Sequence, residues 1–147
     1  MNFNHISSAL DATGIAAEVL SVIERQALVL RLRARLGVDV TADAPWDDDA
    51  APDGCFRSNG WELIPDYVGV NRCFLFLEGA RTVWRFRTGA DLLCVLKECP
   101  ALEFYVCDED STYLLCSNHH DFVVGWGAAT CWVDNLSATV NESRCES

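Results

Sequence analysis

Hydrophobic and polar positions alternate in short blocks along this chain, most densely between residues 103 and 126. Three apolar and aromatic runs in this region are separated first by an acidic, hydroxyl-bearing segment and then by an Asn-His-His-Asp sequence. Runs of β-branched and aromatic residues that are bounded by Asp, Asn and Ser are typical of strands joined by turns. We therefore predict antiparallel strands over residues 104–107, 113–116 and 122–126, at the centre of a sheet.

A second pair of strands is predicted upstream. Residues 73–77 form an apolar run, residues 78–81 have the composition of a turn, and Trp84 and Phe86 alternate with their neighbours as in a half-exposed antiparallel strand over residues 82–87. These features predict a hairpin. Thr88 is placed to cap a short helix over residues 89–99, which Pro100 ends. The expected buried positions of this helix are Leu92, Leu93, Val95 and Leu96.

The longest helix is predicted over residues 15–36, after a polar segment that is expected to form a short first turn. Apolar residues recur there at spacings of three and four, and Gly37 follows as a C-terminal stop. Residues 28–36 also alternate with the two-residue period of a strand, but the abundance of Ala, Leu, Arg and Glu favours a helix. The predicted buried face consists of Leu20, Ile23, Ala27, Leu30 and Ala34.

The remaining segments define the domain organisation. Residues 38–60 are rich in Asp, Ala, Pro and Gly and predict a loop-rich connector, while the polar residues 135–147 predict a frayed tail. A chain of 147 residues with 50% hydrophobic content is long enough for a single domain with one main core. Because strands come in hairpin-like pairs, we predict an α+β fold. In it, the N-terminal helix packs on a largely antiparallel sheet, with a short helix between strand pairs.

Charge restricts the class of partner. With 11 basic and 22 acidic residues, the formal net charge is −11. Nucleic acid is not an expected partner, since phosphate binding needs clustered Lys and Arg, and a direct protein partner is expected to be basic. The chain shows neither a signal-peptide pattern nor an apolar stretch of about 18 residues, so we expect a soluble cytoplasmic protein with no membrane partner. Its eight cysteines are then expected to be reduced and mostly to fill the core.

The segment from Cys116 to Asp121 is the most reactive in composition. Thiolate, imidazole and carboxylate are all zinc ligands, but a structural zinc site needs a second ligand pair at suitable spacing. A cysteine nucleophile needs an adjacent base and a polar setting, and the commoner role of Asn and Asp in such a turn is to satisfy backbone groups. We therefore predict no catalytic residue, metal ligand or cofactor. The alternative is a metal-dependent or cysteine hydrolase centred on Cys116, His119, His120 and Asp121.

A binding surface is the favoured function. The chain has five tryptophans, a residue type that anchors cores and interfaces, and Trp46 beside the Asp47–Asp49 run is the one least expected in the core. An aromatic side chain in an acidic frame suits a basic protein, which it would steer by charge and hold by apolar burial. An open sheet edge also allows a structural homo-oligomer, for which a homodimer is one possible form, as a further alternative. The predicted binding residues are Trp46, Asp47, Asp48, Asp49, Asp108, Glu109, Asp110, His119, His120 and Asp121.

Residues 61–67, Trp-Glu-Leu-Ile-Pro-Asp-Tyr, follow the predicted N-terminal helix and precede a small antiparallel sheet. In this they resemble the Leu-Pro-x-x-Tyr region of the SUKH superfamily of bacterial immunity proteins. Residues 104–122 are also similar to small bacterial proteins of unknown function. The chain differs from the SUKH pattern after Tyr67, where residues 68–71 lead directly into a strand. The resemblance implies a cytosolic, non-catalytic protein that binds and neutralises a toxin, commonly a basic nuclease, which is compatible with the net charge.

Overall fold

The computed structural model describes residues 2–48 and 50–136. In this part of the chain one sheet has seven strands. They are β1 (Glu18–Val19), β2 (Cys55–Phe56), β3 (Cys73–Phe76), β4 (Val83–Phe86), β5 (Phe104–Cys107), β6 (Tyr113–Ser117) and β7 (Phe122–Gly127). Their order in the sheet is β1-β4-β3-β5-β6-β7-β2, and every neighbouring pair is antiparallel. The α+β class and the antiparallel sheet are thereby confirmed.

Helices cover both faces of this sheet. In β3, Cys73 and Leu75 point into one hydrophobic cluster, while Phe74 and Phe76 point into the other. A strand buried on both faces is apolar at consecutive positions, which explains the unbroken runs in the sequence. The sheet therefore has two cores rather than the expected one. Three helices pack together, namely α1 (Asn2–Thr13), α3 (Gly60–Val68) and α4 (Gly89–Lys97). Helix α2 (Val22–Leu36) contacts β6, and residues 130–136 are also helical.

The prediction of one helix over residues 15–36 was wrong at its start. Ser21 begins α2 with a capping box, in which its hydroxyl accepts a hydrogen bond from Glu24 N and the Glu24 carboxylate accepts one from Ser21 N, both at 3.1 Å. Residues before Ser21 instead form the edge strand β1, which pairs with β4. Residues 2–13 form a full helix rather than a short first turn, and Gly37 ends α2 as predicted, with a φ of 70°.

Of the residues predicted to form the buried face, Leu20, which lies before the start of α2, is buried, but the positions within the helix were wrong. Leu28 and Leu32 are buried in the helix, whereas Ile23 is 79% and Leu30 is 64% exposed. Two apolar stripes run along this helix, and the one that contains Leu28 and Leu32 faces the sheet. The other stripe points to solvent. We call it the α2 stripe, and it consists of Ile23, Ala27, Leu30 and Ala34.

The remaining elements follow the sequence more closely. The predicted hairpin is formed by β3 and β4, and the Thr88 hydroxyl accepts a hydrogen bond from Asp91 N at 3.2 Å to cap α4. The connector over residues 38–60 is more ordered than predicted, because it contains a 3-10 turn at Pro45–Asp47 and strand β2, and buries Val38 and Val40 against the sheet. Residues 135 and 136 are helical, and the rest of the predicted tail lies outside the described residues.

The cysteines only partly fill the core. Cys73, Cys107 and Cys116 are buried, as predicted, but Cys94 and Cys131 are exposed. Both exposed thiols lie on helical segments, whose solvent face is not visible in a short apolar run. Cys145 lies outside the described residues. No helix in residues 2–48 and 50–136 is long and apolar enough to cross a membrane.

Candidate binding site

The turn between β6 and β7 meets the loop segments at residues 44–48 and 50–54 at one end of the sheet. The ring of Trp46 lies 5.5 Å from each of the His119 and His120 rings, in edge-on contacts, and the two imidazoles are 4.1 Å apart. Trp46 is half-buried and both histidines are exposed. Three of the predicted binding residues, Trp46, His119 and His120, thus form one aromatic cluster, although Trp46 is far from the two histidines in the sequence.

Glu103 holds this cluster in place. Its Oε2 accepts hydrogen bonds from Trp46 Nε1 at 3.2 Å and from the Tyr105 hydroxyl at 2.9 Å. Its Oε1 lies 3.2 Å from the backbone N of His119 and 2.9 Å from the ring Nδ1. Because an ionised carboxylate only accepts, Nδ1 carries the hydrogen of this bond. The Glu103 side chain is only 10% exposed, so these bonds fix Trp46 from behind.

Two opposing effects set the protonation of Glu103. Burial raises its pKa, but hydrogen bonds from the His119 ring, Trp46, Tyr105 and the His119 backbone lower it by more, so that the pKa lies below the ordinary glutamate value. Glu103 was missed in the sequence because nothing in its immediate neighbourhood marks it. The pairing of Phe104 with Ser117 across β5 and β6 carries the signal, since it places residue 103 beside the turn at residues 118–121.

Asn118 shapes the turn that presents the histidines. Its buried side-chain Oδ1 accepts hydrogen bonds from His120 N at 2.9 Å and from Phe122 N at 3.0 Å. Asp121 adopts a left-handed conformation with a φ of 64°, and its carbonyl accepts a hydrogen bond from Arg57 N at 2.8 Å. The interpretation of this segment as a hydrogen-bonded turn is confirmed for Asn118. Asp121 serves the turn through its backbone.

A cavity of about 390 Å³ opens beside Trp46, and we call it the Trp46 cavity. Of the described residues that line it, three are aromatic, three are acidic, and none is Lys or Arg. Asp47 and Asp53 form no ion pair with any residue in the described ranges. Asp49 lies outside those ranges. The lining residues are Trp46, Asp47, Asp48, Ala51, Pro52, Asp53, Gly54, Asn118, His120, Phe122 and Val124.

An exposed aromatic pair extends this region to the sheet edge. Phe56 on β2 pairs with Phe122 on β7, and their rings meet edge to face at 5.7 Å. Phe56 is 61% exposed. Both phenylalanines and Asp53 were missed in the sequence, because their proximity to Trp46 depends on the long-range pairing of β2 with β7. We define the Trp46 surface as Trp46, Asp47, Asp48, Asp53, Phe56, His120 and Phe122.

The acidic turn at residues 108–110 lies at the opposite end of β5 and β6. Asp108 Oδ1 accepts hydrogen bonds from the backbone N of Thr112 at 2.7 Å and of Tyr113 at 3.3 Å, and so shapes the hairpin turn. Glu109 Oε1 lies 3.3 Å from Arg85 Nε. Asp110 is exposed. The structure therefore does not bring this turn together with Trp46, and two of its three carboxylates take part in intramolecular contacts.

The geometry does not favour the hydrolase alternative. Cys116 is fully buried, and burial raises the pKa of its thiol well above the ordinary value. A nucleophilic cysteine must be accessible and ionised at neutral pH. Across residues 2–48 and 50–136, no group of three or more His, Cys, Asp and Glu is arranged to hold a metal ion. The cluster at this end of the sheet provides aromatic rings and carboxylates for contact, and no accessible thiol.

Comparison of the chain with protein-family models, curated proteins and solved structures found no match. Function is therefore inferred from the geometry of the described residues.

Proposed function

We propose that this protein binds a basic protein partner through the Trp46 surface and performs no catalysis. The observation that supports this most directly is the position of Trp46, which Glu103 fixes beside a cavity whose Asp47 and Asp53 have no ion-pair partner among the described residues. A side chain that is already ordered loses little conformational entropy on binding. Unpaired carboxylates attract a basic partner and increase its rate of association.

The biological role we propose is that of a toxin-immunity factor. The net charge of −11 favours a basic target. The resemblance of residues 61–67 to the SUKH immunity proteins supports a toxin, such as a basic nuclease, as that target. Neutralisation then requires that the protein, bound through the Trp46 surface, covers the active site of the toxin. A bacterial cytoplasmic location belongs to the same proposal.

Affinity capture tests this proposal. The tagged protein is incubated with lysate of its native cell at low and at moderate salt, and retained proteins are identified by mass spectrometry. We expect one basic protein that is retained at low salt and weakens as salt rises, since salt screens exposed charges. Trp46→Ala and the double reversal Asp47→Lys/Asp53→Lys should each weaken its retention by at least about tenfold.

A matched reversal provides the control. Glu62 and Asp66 are exposed on α3, on the opposite side of the sheet from the Trp46 surface. Glu62→Lys/Asp66→Lys changes net charge by the same amount and should leave retention close to that of the wild type. Equal retention by all variants, each shown to be folded by thermal unfolding, would mean that another surface binds the partner.

A structural homodimer is a second candidate, favoured by the α2 stripe. If two α2 helices pack antiparallel about the point between Leu28 and Val29, Ile23 lies beside Ala34 of the second copy. The small alanines allow close approach, and this contact occurs twice by symmetry. Light scattering at micromolar concentration should then give a dimer that Ile23→Glu/Leu30→Glu converts to a monomer. A monomeric wild type contradicts this candidate.

A further inference from the structure

The walls of the Trp46 cavity combine two kinds of group that attract cations. Trp46 and Phe122 contribute aromatic rings, which attract positive charge through the ring quadrupole. Asp47 and Asp53 contribute negative charge that no described residue neutralises. An anion would be repelled by these carboxylates, and a purely apolar group would desolvate them without compensation. The chemistry of the cavity therefore matches a positively charged ligand.

The rest of the lining restricts the kind of cation. Ala51, Pro52, Phe122 and Val124 present carbon atoms, whereas Ca²⁺ and Mg²⁺ require a nearly complete shell of oxygen ligands. An organic cation matches both the apolar and the acidic lining residues, because its hydrocarbon part packs against the apolar side chains while its charge pairs with the carboxylates. A volume of about 390 Å³ is sufficient for one side chain of a partner protein.

Among side-chain cations, arginine fits the site best. Its guanidinium is planar and weakly hydrated, packs on aromatic rings and binds a carboxylate through two parallel hydrogen bonds. Asp48 is one of the lining residues, and a hydrogen bond from Ala50 N to its Oδ1 at 2.9 Å restrains its side chain. We propose that the Trp46 cavity receives an arginine side chain of the basic partner. This inference rests on the proposed function and specifies its central contact.

Small-molecule probes test the cavity without the partner. The ¹⁵N-labelled protein is titrated with N-acetyl-arginine amide, with the lysine analogue, and with the citrulline analogue, which has nearly the shape of arginine but no charge. We expect the arginine probe to shift the backbone amides of Asp48 and Gly54 and the Trp46 indole N–H. Saturation is expected at millimolar concentration, as for a ligand of few atoms. The lysine probe should bind more weakly, and the citrulline probe should cause no saturable shift.

An isosteric double variant tests whether the unpaired carboxylates of the cavity are required for binding. Asp47→Asn/Asp53→Asn should weaken binding of the arginine probe by roughly fivefold or more. The control is Asp110→Asn, which removes an exposed charge at the opposite end of the sheet and should leave the affinity unchanged. These substitutions lie on exposed side chains, so we expect the fold to be preserved and any loss of binding to be local.

The outcomes separate this inference from the proposed function. If the arginine probe shifts no signal of the Trp46 cavity, or if citrulline binds as well as arginine, the cavity is not an arginine site. Capture of a basic partner that depends on Trp46 would then still support the proposed function. Conversely, if the arginine probe binds as expected while no protein is captured, the cavity assignment holds and the proposed function fails.

Discussion

Glu103→Ala is expected to lower the free energy of unfolding by about 3 kcal/mol and to abolish detectable partner retention. The substitution removes the acceptor for Trp46 Nε1, the Tyr105 hydroxyl and two nitrogens of His119. The Tyr105 side chain is buried, so its hydroxyl cannot be hydrated without a local rearrangement. Trp46 loses its fixed position at the same time, which weakens the contact that the partner requires. Urea unfolding and affinity capture measure the two effects.

Glu103→Gln removes the negative charge of the side chain but nearly preserves its shape. Glutamine preserves one acceptor but presents an NH₂ group to the donors that faced the other oxygen, so we expect a smaller loss of about 1–2 kcal/mol. The pKa of Glu103 is lower in the folded protein than in the unfolded chain. The carboxylate therefore stabilises the fold fully at a pH above its pKa in the unfolded chain, and this stabilisation is lost as the pH falls through its pKa in the folded protein. The stability difference between wild type and Glu103→Gln should therefore shrink below about pH 4. A difference that is constant down to pH 2 would contradict this role.

Gly89→Ala is expected to cost about 3 kcal/mol of stability or more. An added Cβ at residue 89 would overlap the Pro65 carbonyl oxygen where α3 packs against α4. The Cβ is fixed to the backbone of α4 and the oxygen belongs to the backbone of α3, so neither can move without moving its helix. The Gly89 N–H also donates to the Gly69 carbonyl at 2.7 Å, which requires this close approach. Thermal or urea unfolding of the purified variant measures the effect.

Gly37→Ala is the control for this close approach. Gly37 has a φ of 70° but open space around its Cα, so alanine there incurs only conformational strain of about 1 kcal/mol. The comparison distinguishes crowding from backbone preference. If Gly89→Ala destabilised the protein no more than Gly37→Ala, the packing of α3 on α4 would be looser than the structure indicates.

Elements with strong local signals were predictable from the sequence. The strands over residues 104–126 and the β3–β4 hairpin are apolar runs bounded by turn residues, and Thr88 marks the start of α4. The start of α2 was also encoded locally, since Ser21 and Glu24 have the spacing of a capping box, but the apolar periodicity that continues before Ser21 obscured it. The buried face of α2 was ambiguous, because spacing alone does not distinguish two equivalent stripes.

The candidate site was predictable in part. Trp46, His119 and His120 were identified by residue type and composition, and the structure brings them together. Glu103 and Phe56 were missed because their roles depend on the register of β5 with β6 and on the pairing of β2 with β7. Such long-range pairing is determined by the packing of the whole sheet, which no short window of sequence contains.

Mapping the captured partner on the labelled protein tests the central proposal most directly. Amide hydrogen exchange or ¹⁵N chemical shifts are compared for the free and the bound protein at one salt concentration. We expect new protection confined to residues 46–54, 56 and 118–122, which carry the Trp46 surface. Protection of the turn at residues 108–112 or of the α2 stripe, with the Trp46 surface unchanged, would contradict it.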